Sequence, residues 1–147
     1  MRLTHFTDYA LRVLIYLGLN GDGRVTIREI SEAYGISRNH LMKVVSNLTR
    51  MEYLEARRGP HGGIRLARPA GEINLARVVR DMEDGLDIVD CFGGPGRCVI
   101  QPVCQLRLAL TQALAAYMQT LENLTLADLL KPRNPLTHLL GNHSPVL

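Results

Sequence analysis

Tryptophan is absent from these 147 residues and aromatic residues make up only 5%, yet an apolar fraction of 46% is enough to build a core. No run of about 18 uninterrupted apolar residues occurs, which excludes a membrane-spanning helix. The opening residues, Met1-Arg2-Leu3-Thr4-His5, lack the apolar segment and small-residue cleavage site of a secretion signal, so a cytoplasmic protein with reduced thiols is expected. Internal repeats are missing too. The length suits one domain, or a small domain with an appended element. Cysteine is scarce, with three residues in all, and no nucleophile motif surrounds any of them. With the histidines placed in other segments, a hydrolase built on a Cys nucleophile and a His base is not expected, and the chain is read as a non-enzyme.

Charge is present but unevenly spread. Residues 1–80 carry thirteen Lys and Arg against seven Asp and Glu, a balance of +6, whereas residues 81–147 carry four against seven, a balance of −3. The first half is therefore suited to meet a polyanion and the second is not. Local signals in that first half are helical. Thr7 is read as the N-cap of a helix running to Leu19, with Asp8 in its first turn. Thr26 and Glu29 form a capping box for a second helix that ends at Tyr34-Gly35. Ser37 caps a third, from Arg38 to about Met51, with Leu41, Val44, Val45 and Leu48 facing inward. Arg38, Asn39, His40, Lys43, Asn47 and Arg50 are left for its outer side.

Two helices joined by a short Gly-containing turn, the second rich in basic and amide groups, predict a helix-turn-helix. Tyr53–Arg58 and Ile64–Ala67 then read as two strands around the turn Gly59-Pro60-His61-Gly62-Gly63. A hairpin directly after a recognition helix is a wing, and Arg57, Arg58, His61 and Arg65 make it cationic enough for phosphate or minor-groove contacts. The fold class expected is mostly α with a small β-hairpin wing, a winged helix-turn-helix followed by a long C-terminal dimerisation helix. The winged domain spans 1–82, with Asn74 capping a fourth helix from Leu75 to about Met82. Residues 83–104 form a cysteine-rich loop. A broad apolar stripe from Leu106 to Leu124 predicts a helix over about Val103 to Asn123, covered by a second copy of the chain. Thr125 opens a short terminal helix that completes the unit 103–131. Residues 132–147, with His138 and His143, read as a loose tail.

All three cysteines, Cys91, Cys98 and Cys104, lie within fourteen residues, and Gly93, Gly94, Pro95 and Gly96 separate the first two. Thiolates gathered on a flexible loop favour zinc, copper(I) or an iron–sulfur cluster. Incidental clustering, or a disulfide with one thiol left over, are the plainer readings. Four ligands close a zinc site or a cluster, so a metal here needs a fourth from elsewhere.

Several stretches together resemble the NsrR-type nitric-oxide-sensing repressors, a family of dimeric winged-helix regulators that carry iron–sulfur clusters. They are Leu3-Thr4, Thr7-Asp8-Tyr9-Ala10-Leu11-Arg12, Ser37-Arg38-Asn39-His40-Leu41, Gly62-Gly63-Ile64-Arg65-Leu66, the three cysteines, and Thr125-Leu126-Ala127-Asp128-Leu129. The resemblance covers residues 1 to about 130. It implies a repressor of a palindromic double-stranded operator whose cluster, 4Fe–4S favoured over 2Fe–2S, is held by Cys91, Cys98 and Cys104. The fourth ligand it implies is Asp8 of the other subunit, with His5 the alternative. Arg12, one turn beyond Asp8, is placed to pair with it or with a neighbouring acidic group in a coupling role, a surface cation or a phosphate contact being the plainer reading. Related regulators of cluster assembly keep a histidine three residues after the third cysteine. That position here is Arg107, which argues against that branch. A cluster-free zinc or thiol switch on the same winged helix is the alternative reading.

Overall fold

The structure, a computed structural model, describes residues 2–94, 96 and 98–141. Its elements are α1 His5–Leu19, α2 Ile27–Tyr34, α3 Arg38–Arg50, strands β1 Leu54–Arg57 and β2 Gly63–Leu66, α4 Leu75–Met82, α5 Gln105–Glu122, α6 Leu126–Leu129 and α7 Arg133–Gly141. Helix α1 is the wall on which the others are built, packing against α3, α4, α6 and β2. Ala10, Val13, Leu14 and Leu17 recur at three- and four-residue steps along it, and all are buried. They meet Leu41, Val44 and Leu48 of α3 in one core with Ile30, Tyr53, Ile64 and Leu126.

The helix-turn-helix follows from local chemistry. Thr26 and Glu29 form the capping box at the start of α2, and Gly35 ends that helix in the left-handed region at φ 65°. Ser37 accepts the His40 N–H to cap α3. The two strands pair antiparallel, with Leu54 opposite Leu66 and Arg57 opposite Gly63. Ile64 exchanges two backbone hydrogen bonds with Val25, at 2.9 and 2.8 Å, which ties the wing to the chain ahead of α2. Gly63 is needed there. Its φ is 131°, and a Cβ would lie 2.9 Å from the Val25 carbonyl oxygen.

A smaller cluster joins α4 to α5 through Ala76, Val79 and Met118, with Leu114, Tyr117 and Leu121 packed around it. Asn74 caps α4 and also donates to the Glu122 carbonyl at 2.8 Å, pinning the end of α5 to the start of α4. Met118 is the only residue of α5 that one chain buries. Leu106 and Leu108 at its other end are exposed, as are Val99, Ile100 and Val103 before it. No helix among the described residues is long and apolar enough to cross a membrane.

Two expectations differ from the structure. The cap of α1 is Thr4, whose hydroxyl accepts the Thr7 N–H, while Thr7 itself is fully buried. Thr4 is held at the helix start by its N–H and hydroxyl, which also donate to Glu83 just beyond α4, at 2.8 and 3.0 Å, while packing turns Thr7 inward. The segment read as a loose tail from Pro132 begins instead with α7, which reaches Gly141 and includes His138. Pro135 falls in its first turn, where a helix needs no backbone N–H, and Arg133 anchors that end on the Leu19 carbonyl at 2.7 Å. His143 and the rest of the tail lie outside the described residues.

Tyr53 locks the hairpin to α4. Its ring is buried under the Arg68 guanidinium, and its hydroxyl donates to Asp81 at 2.6 Å; burial and that carboxylate push the phenol's pKa up. Tyr53→Phe is expected to lower unfolding free energy by about 1.5 kcal/mol. The check is a lower urea midpoint at unchanged slope. A midpoint equal to that of the parent would show that the bond contributes nothing net.

Candidate nucleic-acid interface and cysteine loop

The first turn of α3 presents Arg38, Asn39 and His40, all exposed, where the backbone N–H groups that the Ser37 cap leaves over and the positive end of the helix dipole favour an anion. Lys43, one turn on, is exposed as well. Asn47 and Arg50 are paired with each other, and the Asn47 amide also reaches the Met82 sulfur, so both are partly committed within the chain. The His40 ring lies 6.3 Å from that of Tyr9, and Tyr9 in turn lies 5.8 Å from His5. This aromatic line connects the recognition helix to the start of α1. It borders a groove also lined by Phe6, Lys43 and Val44.

On the wing, Arg57, Arg58 and His61 are exposed around the turn. Arg65 is different. It faces Glu55 across the strand pair and donates to it at 2.8 Å, while Arg24 approaches the same carboxylate at 3.5 Å. Hydrogen bonding and charge from Arg65, with help from Arg24, hold the Glu55 carboxyl below its usual range. Glu55 thus engages one of the four cationic wing residues inside the chain.

The three cysteines are free thiols. Cys91 lies in a short 3-10 turn, Asp90–Gly93, and is half-buried; Cys98 is exposed. Cys104 caps α5, its Sγ accepting the Arg107 N–H at 3.4 Å. The charge field of a helix N-terminus suits an anionic sulfur at that position. Among the described residues no three His, Cys, Asp or Glu side chains converge on a metal-holding geometry. The donor set is nevertheless soft, uncommitted to any disulfide and confined to one loop, which fits a thiophilic metal or an iron–sulfur cluster.

Asp8 is half-exposed on α1. Both its oxygens are engaged by Arg12, at 3.2 and 2.9 Å, and the Arg12 guanidinium lies 5.9 Å from the Tyr34 ring centre. Burial, the largest influence on Tyr34, pushes its phenol up to about 12. His5 is exposed at the start of the same helix.

Reasoning from sequence missed Gln101. Its amide nitrogen donates to the carbonyls of Cys91 and Gly94, at 3.3 and 3.2 Å, and its oxygen accepts the Gly96 N–H at 2.9 Å. One side chain thereby clasps the glycine-rich half of the loop to its second half. The Nε of Arg107, beside Cys104 on α5, is buried without a hydrogen-bond partner.

A helix-turn-helix, a cationic hairpin and a separate helix beyond the cysteine loop define a winged-helix DNA-binding regulator. The model of the Rrf2 family, described as iron-dependent transcriptional regulators, matches residues 3–132, and the chain belongs to that family. It is 47% identical over 142 residues to the HTH-type transcriptional regulator NsrR of Geobacillus kaustophilus, covering 95% of this chain and 97% of the relative. The NsrR of Bacillus subtilis is 46% identical over the same shares. Among solved structures, CymR of Staphylococcus aureus superposes with a TM-score of 0.69 at 26% identity, covering 87% of this chain and 97% of that one. IscR of T. potens superposes with a TM-score of 0.73 at 22% identity, covering 90% and 88%, and so shares the fold. The protein is a transcriptional regulator rather than an enzyme.

Gln101→Ala opens the clasp without touching the core. Hydrogen exchange across residues 91–101 is expected to accelerate at least several-fold, most of all at the Gly96 amide, with the melting temperature within about a degree of the parent because the side chain lies outside the core. Unchanged exchange there would mean that the loop is held by other contacts.

Proposed function

We propose that this chain is a dimeric repressor whose iron–sulfur cluster senses nitric oxide, reaction or loss of the cluster releasing the operator. The observation that carries the reading is the division of the donor set. Three free thiols share one loop, while the carboxylate that would complete it, Asp8, stands on α1 apart from them. Cys91, Cys98 and Cys104 of one chain with Asp8 of its partner would hold the cluster. When bound, the cluster supplies iron that can react with nitric oxide. A carboxylate is a harder and weaker partner for such iron than a thiolate, so Asp8 marks the replaceable position.

The rest is done by the chain itself. Gln101 keeps the loop closed, and the N-terminus of α5 favours anionic sulfur at Cys104. Leu106 and Leu108 of α5, with Val103 before it, leave apolar surface that a second copy would cover. A ligand set divided between two chains ties the dimer together. Losing that tie changes how the two copies of α3 are held relative to one another. The coupling is reciprocal: whatever favours DNA binding in the loaded dimer makes DNA favour the loaded dimer equally. Arg38, Asn39, His40 and Lys43 would grip the major groove, and Arg57, Arg58 and His61 would meet phosphates or the minor groove. Arg65 would join them only by leaving Glu55.

Anaerobic purification with iron and sulfide counts, followed by stepwise nitric oxide, tests the sensor. Cluster absorbance that bleaches in step with loss of operator binding is the expected outcome. Zinc without iron or sulfide would replace the reading with a zinc or thiol switch. Asp8→Ala removes only a surface pair worth about 0.3–0.5 kcal/mol, so the apo protein should stay folded. Its cluster should be lost several-fold faster; an unchanged spectrum and lifetime would remove Asp8 from the ligand set. Arg38→Ala should weaken operator binding by about tenfold or more at unchanged iron content. Binding equal to the parent's would take Arg38 out of the interface.

A further inference from the structure

Seven large apolar side chains are conspicuously exposed among the described residues, and all but one lie at residue 99 or beyond, on the loop, α5 and α7. The exception is Met42, 56% exposed in the middle of α3. Its position on the helix is informative. Asn39, Met42, Lys43 and Ser46 are spaced at three- and four-residue steps, which places them on one face, and all four are exposed. That face is opposite the buried set Leu41, Val44, Val45 and Leu48.

A lone methionine on an ordinary surface needs no explanation, since water tolerates it. A recognition helix is not an ordinary surface. When it seats in a major groove, much of the surrounding water is displaced, and a side chain on the seated face gains most where the groove offers chemistry that matches its own. Asn, Lys and Ser can meet the donors and acceptors of base edges. A thioether cannot, and covering a donor or acceptor with it would leave that group unsatisfied. The major groove offers one apolar group, the C5-methyl of thymine. Methionine suits it, being unbranched, flexible and polarisable.

We propose that Met42 is a specificity-determining residue of the DNA interface, reading the C5-methyl of a thymine in each half-site while its polar neighbours read hydrogen-bonding edges. The inference rests on the proposed binding of DNA by a dimer of the winged helix and is independent of the cluster.

The experiment removes the methyl from the DNA and the side chain from the protein. A high-affinity duplex is first selected from a randomised library with the full-length protein. Each thymine is then replaced in turn by deoxyuridine, which pairs identically but lacks the methyl. Burying one methyl corresponds to roughly a fourfold change in affinity. The parent should therefore weaken about three- to fivefold at one thymine position, or at its symmetry mate. Met42→Ala should bind the thymine duplex more weakly by a similar factor and show no further loss with deoxyuridine at that position, the coupling expected of direct contact. Met42→Leu should retain the discrimination, and Met42→Gln, similar in length but polar, should lose it. A Met42→Ala variant that binds as tightly as the parent, or loses as much affinity from deoxyuridine as the parent does, overturns the proposal. So does a parent indifferent to every deoxyuridine. Thermal melting of each variant verifies that an exposed substitution has left the fold intact.

Discussion

Burial of α1 is the constraint on which the other elements depend. Ala10, Val13, Leu14 and Leu17 have essentially no exposed surface, and their neighbours come from α3, α6 and the wing as well as from α4. A helix used on so many sides cannot shift without disturbing something. Interiors packed this closely respond by moving as units. The recognition helix, the wing and α4 therefore share a single support, and the orientation of α3 is set by a helix outside the helix-turn-helix pair. The same helix brings Asp8 and His5 to its exposed N-terminal end, where Thr4 and Glu83 fasten it to the end of α4.

The wing shows a different balance, between charge supplied and charge used. Arg65, Arg24 and Glu55 form an internal group next to the hairpin, leaving Arg57, Arg58 and His61 around the turn. A surface ion pair of this kind contributes little stability. Its effect is on placement: it fixes the base of the hairpin and concentrates the unpaired cations near the tip. On the proposed reading, long-range attraction to phosphate would be carried by the total balance of +6 over residues 1–80, and close contact by those few side chains.

Most of the winged domain was legible because its signals are local. Thr26 with Glu29, Gly35, Ser37 and Asn74 each act on backbone groups within a turn of themselves, and each does so in the structure. The differences arise where a distant residue decides. Thr4 and Thr7 are equally good caps in isolation, and the fold decides between them, holding Thr4 by two bonds to Glu83, far along the chain, and burying Thr7. Pro132 and Pro135 look like helix breakers, yet a proline in a first turn removes no bond that a helix makes. Arg65 was read by its charge alone, although in this hairpin register it sits directly opposite Glu55. Gln101 has no signature at all. Its three bonds exist only because the loop turns back on itself, and a single amide side chain in a sequence says nothing about that path.

The position of Asp8 carries the functional argument furthest. Within one chain its oxygens belong to Arg12, and Arg12 in turn lies over Tyr34 at the end of α2. Tyr9, the next residue, lies between the rings of His5 and of His40 of α3. Any ligand that takes an oxygen from Asp8 therefore competes with Arg12, on the very turn of α1 that touches both helices of the helix-turn-helix. On the proposed reading that ligand belongs to the other subunit. The state of one chain's cysteine loop would then bear on the recognition helix of its partner through two contacts, and neither requires the core to rearrange. A weak, exposed pair is suited to that position, since a strong buried one would resist the exchange that sensing needs.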